Sequence, residues 1–283
     1  LGDFEAAQHT PLGFASLRGE RGASTGEGLR AVRAAARERA LARAERRAMT
    51  VYRLPRAHVF PNPAEAEPSG LLAVGGDLAP ERVLLAYAQG IFPWYERPPI
   101  LWFSPDPRGV LPLRPRSALH VPRRLARTLR QGLFRVSFDG AFEAVMNACA
   151  TVPRAGQRGT WITQELAHTY RALHARGFAH SCEAWLGERL VGGAFGIAIG
   201  DAFFADSMFH TARDASKVAL VSLAGRLVAE GYALIDCQLP TEHLATLGFQ
   251  AWPRARYLRE LEDAVRAPRP PRSWAEAESA TAP

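Results

Sequence analysis

With 283 residues, 47% of them hydrophobic, the chain can hold one large domain or two small ones around a substantial core. Its formal charge of +7 and pI near 9.9 suit an acidic partner, but Lys217 is the only lysine, so the basicity carries the mark of an arginine-rich coding background and its position counts for more than its total. Cys149, Cys182 and Cys237 are odd in number and widely spaced with no CxxC pair, which argues against a disulfide framework and a structural zinc site; with no apolar run near the roughly 20 residues of a membrane span and no apolar secretion core, a cytoplasmic protein is expected.

In chain order, residues 1–48 are rich in Ala, Arg, Gly and Glu and are expected to be a disordered extension or an upstream misassigned start, since Met49-Thr-Val reads as a natural N-terminus. Six acidic residues before Met49 count against an organelle-targeting segment. Residues 49–106 form a small, loop-rich N-terminal domain with one helix from Pro80 to Gln89, where Pro80 suits the first helical position and Leu84, Leu85 and Ala88 supply an apolar stripe. Residues 107–265 read as an α+β unit. A helix spans Thr163 to Arg176, strands at Ser181–Trp185 and Leu190–Ile199 join through Gly187-Glu188, and Gly200-Asp201 turns the chain into a third strand through Phe203 and Phe204. Asp214 or Ser216 caps the next helix and Gly231 ends it, after which Ala233 to Cys237 returns as a short buried strand. Residues 266–283, rich in Pro, Ala and Glu, read as a disordered tail.

Four features could carry chemistry. The block from Gly90 to Val110 sets prolines among Phe92, Trp94, Tyr95, Trp102 and Phe103, which suits a rigid stacking platform or a proline-rich seam of core. Asp236 and Gln238 lie two apart on a predicted strand, so both side chains share one face while Cys237 points away. A glutamine amide cannot act as a base, so any base in that pair is Asp236; a buried aspartate bonded to backbone amides is the competing reading. Asp206, among phenylalanines, either meets a cation, from a substrate or from Arg213, or has its protonated form favoured. Between Pro107 and Arg135 stand eight arginines and no acid; Arg123, Arg127 and Arg130 fall on one face of a helix starting near Pro122, a phosphate-facing stripe or a solvated surface.

There is no GxSxG elbow, HExxH or P-loop. Nor is there the Arg/Gln-x-x-Gly-x-Gly/Ala loop of acetyl-CoA enzymes; the corresponding stretch from His210 to Lys217 lacks glycine altogether.

Gly75-Gly-Asp-Leu, the aromatic block, Gly159-Thr-Trp-Ile-Thr, Phe204-Ala-Asp-Ser-Met-Phe and Leu234-Ile-Asp-Cys-Gln stand in an order that resembles the bacterial leucyl/phenylalanyl-tRNA protein transferases, from about Phe60 to Leu261. The resemblance implies a GNAT-like fold, with a mixed, largely antiparallel sheet and flanking helices. It implies transfer of Leu or Phe, with the preference among Leu, Phe and Met open, from leucyl-tRNA or phenylalanyl-tRNA to proteins with N-terminal Arg or Lys, in N-end-rule degradation. The donor ester arrives activated, so no cofactor or metal is required, and a monomer is expected. By motif position Asp236 and Gln238 match the catalytic pair, with Asp236 as base or positioner. Trp94 and Trp161 match the tryptophans that grip the 3′-terminal adenosine, with Tyr87 and Phe203 beside them. Asp206 falls where the family motif carries a glutamate, one methylene longer. Met208, Leu220, Leu223, Leu227 and Ile235 suit the aminoacyl side-chain pocket, and Arg123, Arg127 and Arg130 suit tRNA phosphates. The alternatives are an acetyl-CoA dependent N-acetyltransferase on the same fold and a non-enzymatic RNA-binding module.

Overall fold

The computed structural model describes residues 51–152 and 160–275, so the expectations for residues 1–48, for a start at Met49 and for the last residues of the tail lie outside it, as does Gly159. The first described segment supplies strands β1 (Tyr52–Leu54), β2 (Leu71–Gly75), β3 (Phe92–Pro93) and β4 (Leu101–Phe103), joined in one sheet in the order β1-β2-β4-β3, with β1 and β2 parallel. Helix α1 (Pro80–Ala88) begins at Pro80 and stops at Gln89 as expected, but its buried face is Arg82, Val83, Ala86 and Tyr87, and the stripe of Leu84, Leu85 and Ala88 is only half-buried. Arginine can occupy the inner face because Arg82 donates to the carbonyls of Pro55, Arg56 and Ala57 and pairs with Asp77 at 3.1 Å, leaving no buried charge unmatched.

The remaining elements are β5 (Arg108–Pro112), α2 (Arg123–Arg130), β6 (Arg135–Phe138), α3 (Phe142–Thr151), α4 (Gln164–Ala175), β7 (Ala179–Leu186), β8 (Arg189–Ile199), β9 (Ala202–His210), α5 (Ala215–Ala229), β10 (Leu234–Asp236), α6 (Glu242–Ala245), β11 (Gln250–Trp252) and α7 (Arg254–Val265). Seven strands form a second sheet in the order β11-β5-β10-β9-β8-β7-β6, antiparallel throughout except between β9 and β10. The meander β7–β9 follows the expected turns, with Gly187 and Gly200 at φ +58° and +55°, a conformation open to glycine without a Cβ clash. Among the described residues no helix is long and apolar enough to cross a membrane.

Alternation along the strands sorts the core into two layers. Phe195, Ile197 and Phe204 pack with Phe142, Val145, Leu166 and Tyr170 of α3 and α4, while Cys182, Ala184 and Phe203 pack with Val218, Leu223 and Leu227 of α5. The fold is mixed α+β, with two mixed sheets and flanking helices. Asp214 precedes α5 at φ +63° without a side-chain cap, and Gly231 follows its C-terminus at φ +75°.

The chain beyond α7, expected to be disordered, packs on the second layer up to Ala275. Trp274 is 1% exposed, stacks on His180 at 3.8 Å between ring centroids, and donates its backbone N–H to Asp139 at 2.9 Å. One large aromatic supplies enough burial to order a segment whose Pro, Ala and Glu content otherwise gives it no core. Arg269 secures the path by pairing with Asp201 at 2.7 Å.

Candidate active site

Arg108, the first residue of β5, and Asp236, the last of β10, are 1% and 0% exposed. They meet in a two-pronged ion pair, with Arg108 Nε 2.8 Å from Asp236 Oδ1 and Nη2 2.7 Å from Oδ2. The other side of the guanidinium donates to the Gly90 carbonyl at 3.0 Å, and the rings of Phe92 and Tyr257 lie against it at 4.9 and 4.6 Å. The Tyr257 hydroxyl donates to Asp236 Oδ2 at 2.7 Å, and the Gln238 backbone N–H donates to Oδ1 at 2.9 Å. Burial opposes the charge on Arg108, but Asp236 outweighs it and holds the guanidinium above its ordinary range.

The bond from Gln238 N–H to Asp236 corrects one expectation. The strand ends at Asp236, and Gln238 sits beyond it in a turn at φ +61°, so the two side chains do not project from a common strand face. Asp236 turns into the protein toward Arg108, while Gln238 directs its amide Nε2 to Asp206 Oδ1 at 3.1 Å. Gly109 makes the turn feasible: a Cβ there would lie 2.6 Å from Cys237 Sγ and 2.9 Å from the Leu239 backbone.

Because β10 stops at Asp236, opposite Phe204, β9 continues from Ala205 without a partner strand on that side, and a cleft opens there. One lobe, about 120 Å³, is lined by Phe92, Pro93, Trp94, Trp161, Cys237, Leu239, Asp206 and Gln238. The other, about 370 Å³ and mainly apolar, is lined by Ala194, Ala205, Ser207, Met208, Leu220, Thr241, Leu244 and Phe249, and shares Asp206, Cys237, Gln238 and Leu239 with the first. Asp206 therefore stands where the lobes join. Its Oδ1 accepts from Tyr87 at 2.7 Å, and the Tyr87 hydroxyl lies 2.9 Å from that of Tyr170. Burial pushes the Asp206 carboxyl up to about 7; the hydroxyls of Tyr87 and Tyr170 pull the other way, and the negative Asp236 adds to the rise.

Of the residues singled out in the sequence, Trp94, Trp161, Asp206, Gln238, Met208 and Leu220 line the cleft, and Tyr87 supports it from below through Asp206. Phe203, Leu223, Leu227 and Ile235 do not line either lobe: each is fully buried in the α5 layer, Phe203 because it alternates with Phe204, and Leu223 and Leu227 because they follow Leu220 inward along the helix. Arg123, Arg127 and Arg130 are exposed on α2, whose one buried residue is Leu125, and line neither lobe. Sequence reasoning passed over Arg108, Tyr257 and Tyr170. For Arg108 a signal existed: it opens a strand whose next three residues, Gly109, Val110 and Leu111, carry no polar side chain, and a lone aspartate ends another.

Replacing Asp236 by Ala leaves Arg108 buried and unpaired and should lower unfolding stability in urea by about 3–5 kcal/mol. A loss below about 1 kcal/mol, the range of an exposed pair, would show that the ion pair does not hold these elements together.

Residues 111–262 match the family model described as leucyl/phenylalanyl-tRNA protein transferase, and residues 76–106 match the model of its N-terminal domain. A protein from Anaeromyxobacter sp. (strain K) is 56% identical over 221 residues, covering 78% of this chain and 94% of the relative. One from Nitratidesulfovibrio vulgaris (strain DP4) is 54% identical over 222 residues (78% and 94%), and one from Myxococcus xanthus (strain DK1622) is 51% identical over 235 residues (82% and 99%). All three are named leucyl/phenylalanyl-tRNA--protein transferase. Among solved structures, L-PGS from Bacillus licheniformis aligns with a TM-score of 0.33 at 11% identity over 62% of this chain and 58% of its own, too remote to bear on the fold. On the family models and the level of identity, this chain belongs to the leucyl/phenylalanyl-tRNA protein transferase family.

Proposed function

We propose that the chain is an aminoacyltransferase that moves Leu or Phe, with Met as a further donor, from aminoacyl-tRNA to the N-terminal Arg or Lys of acceptor proteins in the N-end-rule pathway of the cytoplasm. The observation that carries this reading is the two-lobed cleft: aromatic surfaces on one side, a mainly apolar chamber on the other, and a polar junction of Asp206 and Gln238 between them. An aminoacylated adenosine has that division of chemistry. Trp94, 44% exposed, and Trp161 offer faces to the terminal base, each stacked base contributing about 1–3 kcal/mol. The donor side chain enters the lobe lined by Met208, Leu220, Leu244 and Phe249, and the reactive ester then lies beside Gln238 and Asp206. Selection by size in such a lobe yields about 1–3 kcal/mol per methylene, which suits overlapping use of Leu, Phe and Met.

The ester needs no further activation, so the work of the site is to hold ester and amine in attack geometry. In this scheme Asp236 is the positioner and not the base: both its oxygens are committed to Arg108, Tyr257 and Gln238 N–H, and it fixes the turn that presents Gln238. The Gln238 amide donates to the ester carbonyl or orients the amine. Residues 49–106 act as a small N-terminal domain that supplies the aromatic platform, and residues 107–265 as a GNAT-like catalytic domain in a monomeric protein. Arg123, Arg127 and Arg130 meet the tRNA phosphates.

Incubated with radiolabelled leucyl-tRNA, the protein is expected to label a peptide beginning with Arg and not the same peptide beginning with Ala; no label on either overturns the reading. Reversal of Arg123, Arg127 and Arg130 to Glu should weaken tRNA binding and flatten its dependence on salt by up to about 0.9 log unit per lost phosphate contact. An unchanged salt slope would remove α2 from the tRNA interface.

A further inference from the structure

Asp206 has two oxygens in unlike situations. Oδ1 accepts from the Tyr87 hydroxyl and the Gln238 amide. Oδ2 is sealed from solvent and makes no hydrogen bond of good geometry, the Tyr170 hydroxyl that acts on this carboxyl being engaged with Tyr87, although the residue lines both lobes of the cleft. A buried carboxylate oxygen without a well-placed donor is costly, and native sites retain one where a ligand supplies what is missing. The groups around it offer no full cation in contact: Tyr87 comes from α1, Tyr170 from α4, Gln238 from the turn after β10, and the nearest charges, Asp236 and Arg108, are occupied with each other. An α-ammonium group carries three N–H donors and a positive charge, and it must lose a proton before its nitrogen can attack an ester.

Resting on the transferase reading, we propose that Asp206 is the catalytic base that takes the proton from the acceptor's α-ammonium group. In the first step an N–H bond breaks, the proton passes to the Asp206 carboxylate, and the nitrogen lone pair is freed. That lone pair then forms the C–N bond at the ester carbonyl carbon. The tetrahedral intermediate collapses with cleavage of the C–O bond to the ribose, and the second proton of the nitrogen goes to the departing oxygen, which leaves as the tRNA hydroxyl. Asp206 releases its proton to solvent once the products depart, so one proton is liberated per peptide bond.

The carboxyl's own ionisation suits this task. Burial brings it to about 7, close to the roughly 7.7–8.0 of a free α-amino group, so near neutral pH the carboxylate and the ammonium coexist and the transfer between them is nearly balanced. An ordinary surface aspartate, near 3.9, would be some four units too weak to hold the proton.

The competing role for Asp206 is a static salt bridge to the acceptor's basic side chain, and pH separates the two. Transfer to an Arg-initiated peptide should be measured for the unmodified protein and for Asp206→Asn and Asp206→Glu between pH 7 and 9, with saturating leucyl-tRNA and single-turnover rates. Asn should cost about 10²-fold at pH 7, the scale of a lost general base, and the ratio of unmodified to variant rate should shrink by up to about tenfold by pH 9, as solvent deprotonates the amine in place of the carboxylate. Glu should restore most of the rate. A ratio that stays flat or rises with pH, with the loss confined to KM for the peptide, would overturn the assignment in favour of the salt bridge. Unimpaired binding of a non-hydrolysable leucyl-adenosine analogue by the Asn variant shows that the cleft is intact. Failure of the unmodified protein to transfer at all would instead sink the transferase reading beneath it.

Discussion

Two opposite charges taken out of water at the ends of two adjacent strands fix this site, because neither Arg108 nor Asp236 can leave the other without stranding a buried ion. Their partners extend that constraint in three directions. Gly90 O ties in the loop that leads to Phe92 and Trp94, Tyr257 ties in α7, and Gln238 N–H ties in the turn after β10. One guanidinium thus relates the aromatic lobe of the cleft to its polar junction. Lysine could supply the charge, but not the planar fork that reaches Asp236 with two nitrogens and Gly90 with a third.

From that anchor the cleft follows by simple geometry. The carboxylate of Asp236 captures the Gln238 amide, the strand ends, and the parallel neighbour β9 runs on alone. β9 bulges at Asp206, so the alternation breaks there: Asp206 turns to Tyr87 at the opening, while Met208 keeps with the fully buried Phe203 on the side of α5 and still reaches the cleft. The polar junction therefore stands on the strand beside Asp236, at the mouth of an apolar chamber, where burial can lift a carboxyl toward neutrality.

Much of this was legible in the chain. The meander announced itself through glycine turns between long apolar strands, because Gly187 and Gly200 are demanded by the local backbone. The short buried strand at Leu234 to Asp236 and the helix that Gly231 closes were legible for the same local reason. What escaped depended on non-local pairing. Arg108 was one among eight arginines until Asp236 appeared opposite it, and Gln238 was placed on the strand because nothing local shows that the preceding aspartate will bond its N–H. Trp274 was lost in a composition typical of disorder, since a single aromatic barely changes an average yet orders its segment by finding His180 and Phe203. Of the pocket residues named along α5, Leu220 lines the cleft and Leu223 and Leu227 lie in the core beneath it, because helical spacing identifies an apolar face but not which turn of it reaches the cleft.

The claim that the Arg108–Asp236 pair works by geometry is tested most directly in Arg108→Lys, which keeps a cation beside Asp236 and removes the fork. The measurement is the single-turnover rate of leucyl transfer to an Arg-initiated peptide, made on protein that still unfolds cooperatively. If position is what matters, the rate should fall by about 10²-fold, the scale of an ångström-level displacement of reacting groups. A rate within about threefold of the unmodified protein, far short of that scale, would mean that charge alone suffices and that the fork does not set the site.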